Sequence, residues 1–220
     1  MMKKTIACAV AAAAAAAYAY GPDSAKKGQL RVNAPLVVAE KDAETAAALG
    51  RALVSASRKD AGVVGYDMYR SVTMPGWFVF CETWKDQASL DAHSASPHFT
   101  GIVPELQKLG KMGVDAFTIG DDAPSGKVRL NCFKTAKPGA EGEGVIEKAK
   151  EMIAATWKND EGVIEYDFLV SVTDPLEMMV YETWTDSASL EKHLAKDHLK
   201  RIAPEIRKRT SRSWMEKFVK

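Results

Sequence analysis

The side chains best suited to chemistry come in two matching sets. Residues 82–98 read ETWKDQASLDAHSASPH and residues 182–198 read ETWTDSASLEKHLAKDH, so Glu82, Trp84, His93 and His98 recur as Glu182, Trp184, His193 and His198. The chain has four histidines, and all of them lie in this string. Imidazole is the side chain whose ordinary titration range suits proton transfer near neutrality. Glu82 and Trp84 are two residues apart in an apolar strand-like run, so both fall on one sheet face. His93 follows Leu90 by three residues on a helix and projects toward that sheet. Trp, His and a carboxylate would then meet in one enclosed space, where a flat aromatic molecule stacks and loses a proton.

On this reading His93 and His193 are the candidate catalytic bases. Trp84, Trp184, Glu82, Glu182, Tyr66, Tyr166, His98 and His198 are candidates to line the substrate space. Each also has a packing role open to it. The tryptophans fit a core, the glutamates a pairing with a nearby base, and His93 a buried bond to a carbonyl. His98 follows Pro97 and would cap an interrupted helix just as well. A zinc site from His93 and His98 is not expected. Residues five apart diverge by about 140° on an unbroken helix, unlike the four-residue spacing of helical zinc ligands. No metal is expected on that spacing, and no nucleophile elbow, phosphate loop or dinucleotide fingerprint occurs.

The chain of 220 residues carries a formal charge of +1 with acids and bases intermixed. That balance gives no electrostatic reason to bind nucleic acid or an anionic membrane. Residues 1–19 hold Lys3 and Lys4, then an alanine-rich run, then Ala17-Tyr18-Ala19, which reads as a secretory signal peptide cleaved after Ala19. Removing those two lysines would turn the charge to −1. Cys8 precedes the apolar run, the wrong place for a lipid anchor. The expectation is a secreted or periplasmic protein that does not span a membrane. Cys81 and Cys132 sit in apolar strand-like segments without C-x-x-C spacing, so buried free thiols are expected, though a disulfide is allowed in an oxidising compartment.

The elements that must hold the two sets are themselves duplicated. From Gly62/Gly162 to Leu106/Ile206 the offset is 100 without a gap, with 21 identities in 45 positions. Upstream, Arg31-Val32-Asn33 matches Arg129-Leu130-Asn131 at an offset of 98. The expected division is a signal peptide at 1–19, a domain at 28–119, a turn-rich linker at 120–126 and a second domain at 127–220. Each copy reads β-α-β-β-α-β, the split-βαβ or ferredoxin-like order. In the first, 30–38 is a strand, with Pro35 suggesting an edge or a bulge. Residues 42–58 form a helix with Leu49, Leu53 and Ala56 on its stripe, matched by Ile146, Ala149, Ile153 and Trp157. Strands follow at VVGYDMYRSV, with Val64, Tyr66, Met68 and Val72 on one face, and at WFVFCETW. Asp86 and Asp186 are N-caps for a second helix interrupted near Pro97 and Pro104, and 114–119 closes the unit. Phe78, Phe80 and Trp84 alternate with Trp77, Val79 and Cys81, so the sheet is apolar on both faces and needs cover on both. Helices cover one. The other is expected to be covered by the sister sheet, making an α+β barrel within one chain, a pseudo-dimeric monomer.

The string ETWKDQASLDAHSASPHF and its second copy resemble the signature of the antibiotic biosynthesis monooxygenase domain, including quinol monooxygenases of the YgiN type. The resemblance implies the dimeric α+β barrel and a small-molecule pocket between sheet and helices in each unit. It also implies an oxidoreductase, a monooxygenase that oxidises quinols or anthrones with O2 and no cofactor. Asn33 and Asn131 stand where some family oxygenases bind substrate or oxygen. The family also contains isomerases and haem-degrading enzymes. The latter carry Trp where this chain has His93, and an axial His where Val103 and Ala203 stand, so haem fits poorly. The expected function is cofactor-independent monooxygenation of a small aromatic substrate. An isomerase or tautomerase using the same pocket, or a non-catalytic ligand-binding barrel, are the alternatives.

Overall fold

A computed structural model describes residues 26–118 and 126–219. The expected signal peptide, its cleavage site, Cys8 and most of the expected linker lie outside the described residues. Among the described residues no helix is long and apolar enough to cross a membrane. The described chain divides into two compact units. The first holds residues 26–118 together with Leu169–Pro175, and the second holds the remainder from residue 126 onward.

The first unit runs β1 (Leu30–Val38), α1 (Ala43–Ser57), β2 (Val63–Ser71), β3 (Trp77–Trp84), α2 (Gln87–Ser94), α3 (Pro97–Leu109), β4 (Gly110–Met112) and β5 (Asp115–Thr118). The second runs β6 (Val128–Ala136), α4 (Val145–Asn159), β7 (Val163–Ser171), β8 (Glu177–Trp184), α5 (Ser187–Leu194), α6 (Asp197–Lys208) and β9 (Thr210–Val219). In the first unit β1 lies between β3 and the β4/β5 pair, with β2 beyond β3. The second unit repeats this order as β9-β6-β8-β7. Both are antiparallel ferredoxin-like units, as the order of elements predicts.

The helix-facing side of the first sheet is the core. Val32, Ala34 and Leu36 of β1, Tyr66 and Met68 of β2, and Phe78, Phe80 and Trp84 of β3 pack with Leu53 and Val54 of α1 and Val103 and Leu106 of α3. The alternation read from β3 holds, and that strand is buried along its whole length. Three expectations shift. The buried stripe of α1 is Ala43, Ala46, Ala47, Gly50, Leu53, Val54 and Ser57, so Ala56 is off it. In α4, Trp157 is half exposed and its indole N–H donates to the Tyr166 carbonyl at 3.0 Å. An amphipathic indole satisfies its N–H at the rim more readily than inside the core. Val64 is also exposed, because the strand carries a register shift between Val63 and Gly65.

Pro35 does mark an irregularity, though not in its own strand. β1 pairs Asn33 with Asp115 and Leu36 with Met112, and the partner strand breaks into β4 and β5 opposite Pro35. Proline offers no N–H to a ladder. In the second unit Phe133 takes the matching place, and β9 runs unbroken over ten residues. Pro104 and Pro204, by contrast, lie within continuous helices. The interruption expected near residue 104 is absent, and the break falls only at Ala95-Ser96. Ser96 accepts from the Phe99 N–H and Pro97 takes the first helical position, so the segment starts a new helix there.

Gly50 lets α1 press on β2: a Cβ built there would sit 1.9 Å from the Met68 sulfur. Met68 is fully buried, so a large side chain must displace the core. Gly50→Leu is expected to lower the unfolding free energy by about 1–3 kcal/mol, read from urea denaturation. An unchanged midpoint and slope would show that the contact is slack.

Candidate functional site

The turn between α1 and β2 fixes one residue that the sequence reading did not single out. Asp60 is held there by backbone bonds to Ser57 and Val63. Two residues on, Gly62 adopts φ +80°, and a Cβ at that position would lie 2.0 Å from Ser89 Oγ. The turn therefore packs directly onto the start of α2, which Asp86 caps by accepting from the Ser89 N–H at 2.9 Å. The second unit repeats this contact with Gly162, Ser189 and Asp186. Through it the turn carboxylate reaches the break that follows α2.

At that break the two histidines meet. His93 Nδ1 lies 2.7 Å and His98 Nε2 3.0 Å from the same oxygen, Asp60 Oδ2. In the second unit His193 Nδ1 and His198 Nε2 lie 2.9 and 3.0 Å from Asp160 Oδ2. The divergence expected for residues five apart does not apply, because the chain changes helix between them. Each group of three offers one carboxylate oxygen and two imidazole nitrogens whose donor atoms lie within 4.8 Å of one another. That is a donor set a metal ion can use.

The shared oxygen of an ionised carboxylate only accepts, so His93 carries its proton on Nδ1 and keeps the lone pair on Nε2. Nε2 is buried and has no hydrogen-bond partner among the described residues. Burial pulls the His93 pKa below its ordinary value, and the bond to Asp60 opposes this. A neutral ring oriented by a carboxylate with a free basic nitrogen is the arrangement of a general base.

Around this base the expected aromatic wall is present. Trp84 lies 4.6 Å from the His93 ring and Tyr66 5.3 Å, while Phe99 meets it edge-on at 4.9 Å. Trp184 and Tyr166 hold the same distances, 4.6 and 5.3 Å, from His193. The Trp84 indole N–H donates to Glu82 at 2.8 Å, and Trp184 donates to Glu182 at 3.0 Å. The structure thus gathers Glu82, Trp84, Tyr66, His93 and His98, and likewise Glu182, Trp184, Tyr166, His193 and His198. Asn33 and Asn131 do not join them. Both are fully buried, but they alternate with Val32 and Ala34 or Leu130 and Cys132, which face the helices, and so lie on the opposite face of the sheet.

In the second unit the space beside His193 is a cavity of about 230 Å³. Glu182, Tyr166, Cys132 and Val180 line its sheet side, and Leu199 and Pro204 its helix side. The matching positions of the first unit hold the larger Phe80 and Phe99 in place of Val180 and Leu199. Cys132 faces Glu182 at 3.8 Å, and Cys81 accepts from Arg31 at 3.2 Å. Both cysteines are buried outside any disulfide, as their strand contexts suggest. Burial raises the Cys132 thiol well above its ordinary range, so it stays protonated.

The carboxyls beside the tryptophans are also perturbed. Burial pushes Glu82 up to about 7, against the N–H of Trp84, the hydroxyl of Tyr66 and the charge of Arg31. Burial raises Glu182 too, with His193 and Trp184 opposing. A folded value above the unfolded one stabilises below about pH 4.5, and that contribution is lost as pH rises through 7. The swing is about 3 kcal/mol. Glu82→Gln should therefore gain on the wild type by about that much between pH 4.5 and 8 in urea unfolding. Parallel pH profiles for the two proteins would overturn the assignment.

The model of one protein family, antibiotic biosynthesis monooxygenase, matches residues 30–105 and again 128–205, well over half of the chain. YcnE of Bacillus subtilis, whose assignment as a monooxygenase is provisional, is 36% identical over 59 residues, 27% of this chain and 62% of its own. The uncharacterised protein sll1783 of Synechocystis is 34% identical over 28% of this chain and 42% of its own. The match thus spans less than two thirds of either relative. A solved structure from Bacteroides thetaiotaomicron, of unknown function and described as a possible oxidoreductase, is 32% identical over 42% of this chain and 98% of its own, with a TM-score of 0.40. The two matched segments each contain the Glu-x-Trp strand and the paired histidines, and the chain belongs to the antibiotic biosynthesis monooxygenase family, whose domain it carries twice.

Proposed function

We propose that the protein is an exported monooxygenase that oxidises small aromatic substrates of the quinol or anthrone kind with O2, in the cavity of its second unit. The observation that carries this reading is His193, which lines a largely apolar cavity while Asp160 holds its Nδ1. Nε2 is then the basic nitrogen available to a bound molecule. The ring of a substrate packs against the apolar wall formed by Val180, Leu199 and Met152. His193 takes a proton from a hydroxyl or activated CH group and leaves an electron-rich anion. That anion supplies the electrons for O2. One oxygen atom enters the substrate, and the other leaves as water with protons returned through the base. Glu182, raised by burial and beside the same space, is placed to hold a proton during the exchange.

The family supports monooxygenation as a class, and the size and apolar lining of the cavity support a small aromatic substrate. The same base would also serve an isomerase, which transfers a proton and uses no oxygen. An oxygen electrode with a panel of quinols and anthrones separates them. Oxygen consumption matched to product supports the oxygenase, turnover without it makes the protein an isomerase, and binding without turnover makes it a carrier.

Two substitutions locate the reaction. His193→Ala is expected to lose on the order of 10²–10⁴-fold in turnover, with a melting curve verifying that the variant is folded. His93→Ala should fall much less, since Phe80 and Phe99 narrow the first unit. A folded His193→Ala protein with full turnover would move the base elsewhere.

A further inference from the structure

Although the two copies share Asp, His and His, their surroundings differ at one neighbouring position. Residue 96 is serine and residue 196 is lysine. In the second unit Lys196 Nζ lies 3.8 Å from Asp160 Oδ1. The Asp160 side chain is 1% exposed and that of His198 8%. In the first unit Ser96 brings no charge, its hydroxyl lying 3.0 Å from His98 Nε2. The side chains of Asp60 and His98 are 20% and 22% exposed there. One copy is sealed under an ammonium group, whereas the other opens to solvent.

We propose that the first unit binds one divalent transition-metal ion, of the zinc class, through Asp60 Oδ2, His93 Nδ1 and His98 Nε2, and that Lys196 denies the same ion to the second unit. This is independent of the reaction assigned to the second unit.

The donor set is a carboxylate with two imidazoles, which suits zinc and its neighbours better than calcium or magnesium. Ligands about 2.1 Å from one ion stand roughly 3.0–3.4 Å apart. The oxygen–nitrogen separations are 2.7 and 3.0 Å and all three donor atoms lie within 4.8 Å of one another, so the ion is seated by opening the carboxylate contacts slightly and drawing the two rings onto it. Solvent reaches the donors through the exposed edges of Asp60 and His98, and a water molecule completes the coordination from that side.

Proton balance is simple. The ion takes the lone pair on Nδ1 of His93, and the proton held there moves to Nε2. On His98 the proton moves from Nε2 to Nδ1. No net proton is released from neutral rings, and Asp60 exchanges two N–H donors for one cation. His93 thereby changes from a base into an N–H donor. In the second unit a dication would have to enter beside the Lys196 ammonium, and the repulsion of like charges next to the buried Asp160 carboxylate opposes it. Lys196 supplies the countercharge to Asp160 instead.

The test is titration of the metal-free full-length protein with zinc by calorimetry, with cobalt(II) absorption as a second readout. One ion per chain is expected in the wild type. Asp60→Asn and Ser96→Lys should each abolish it, and Lys196→Ser should raise the count to two. Lysine already occupies position 196 before α6, so Ser96→Lys is compatible with the fold, and melting curves verify it. His98→Gln provides a second loss-of-ligand variant should Ser96→Lys fail to fold. Absence of binding in the wild type would overturn the proposal. So would two ions in the wild type, or one ion that survives both Asp60→Asn and Ser96→Lys.

Discussion

A single carboxylate oxygen organises each unit. Asp60 Oδ2 ties two histidines from two different helices to the turn that leads into β2. Without it, His93 and His98 would lose the acceptor they share. With it, His93 is fixed against Trp84, and Trp84 in turn is fixed by its bond to Glu82. The chain of contacts runs from turn to helix to strand. Each link involves a polar group that would be costly to bury unpaired, so the aromatic wall and the basic nitrogen are set by one shared acceptor.

Much of this could be read from the residues alone. The limits of β1 and β3 follow from their apolar runs, and Asp86 and Asp186 announce the helices they cap. The convergence of Trp84, Glu82 and His93 follows from two periodicities, two for the strand and 3.6 for the helix. Asp60 was not legible in that way. It sits in a turn, where no periodicity reports which way a side chain faces. Its one signal is repetition, since Asp60 and Asp160 obey the same offset of 100 that runs from Gly62 onward. Asn33 stands apart from the histidines for the converse reason. Its place in the strand was correct, but a neighbour one residue away faces the opposite side of the sheet, and only the pairing register decides between them.

Duplication has left the two copies unequal around the same polar group. The base and its acceptor are kept, and the walls diverge: Val180 against Phe80, Leu199 against Phe99, Lys196 against Ser96. The polar set is constrained by geometry on several sides at once, whereas each wall position touches the site from one side only. Such positions can change without dismantling the fold, and they govern what fits beside the histidine.

Pro35 has a consequence for how each unit meets other chains. By splitting the outer strand into pieces of three and four residues, it leaves the first unit with an edge too short and broken to template another strand. The second unit, with Phe133 in that place, ends in a ten-residue edge strand whose outer side pairs with no strand among the described residues. Arg212 and Lys217, both exposed, place charges along β9. One copy is therefore guarded against sheet extension by backbone chemistry, and the other by charge, so the second guard weakens as salt rises and the first does not.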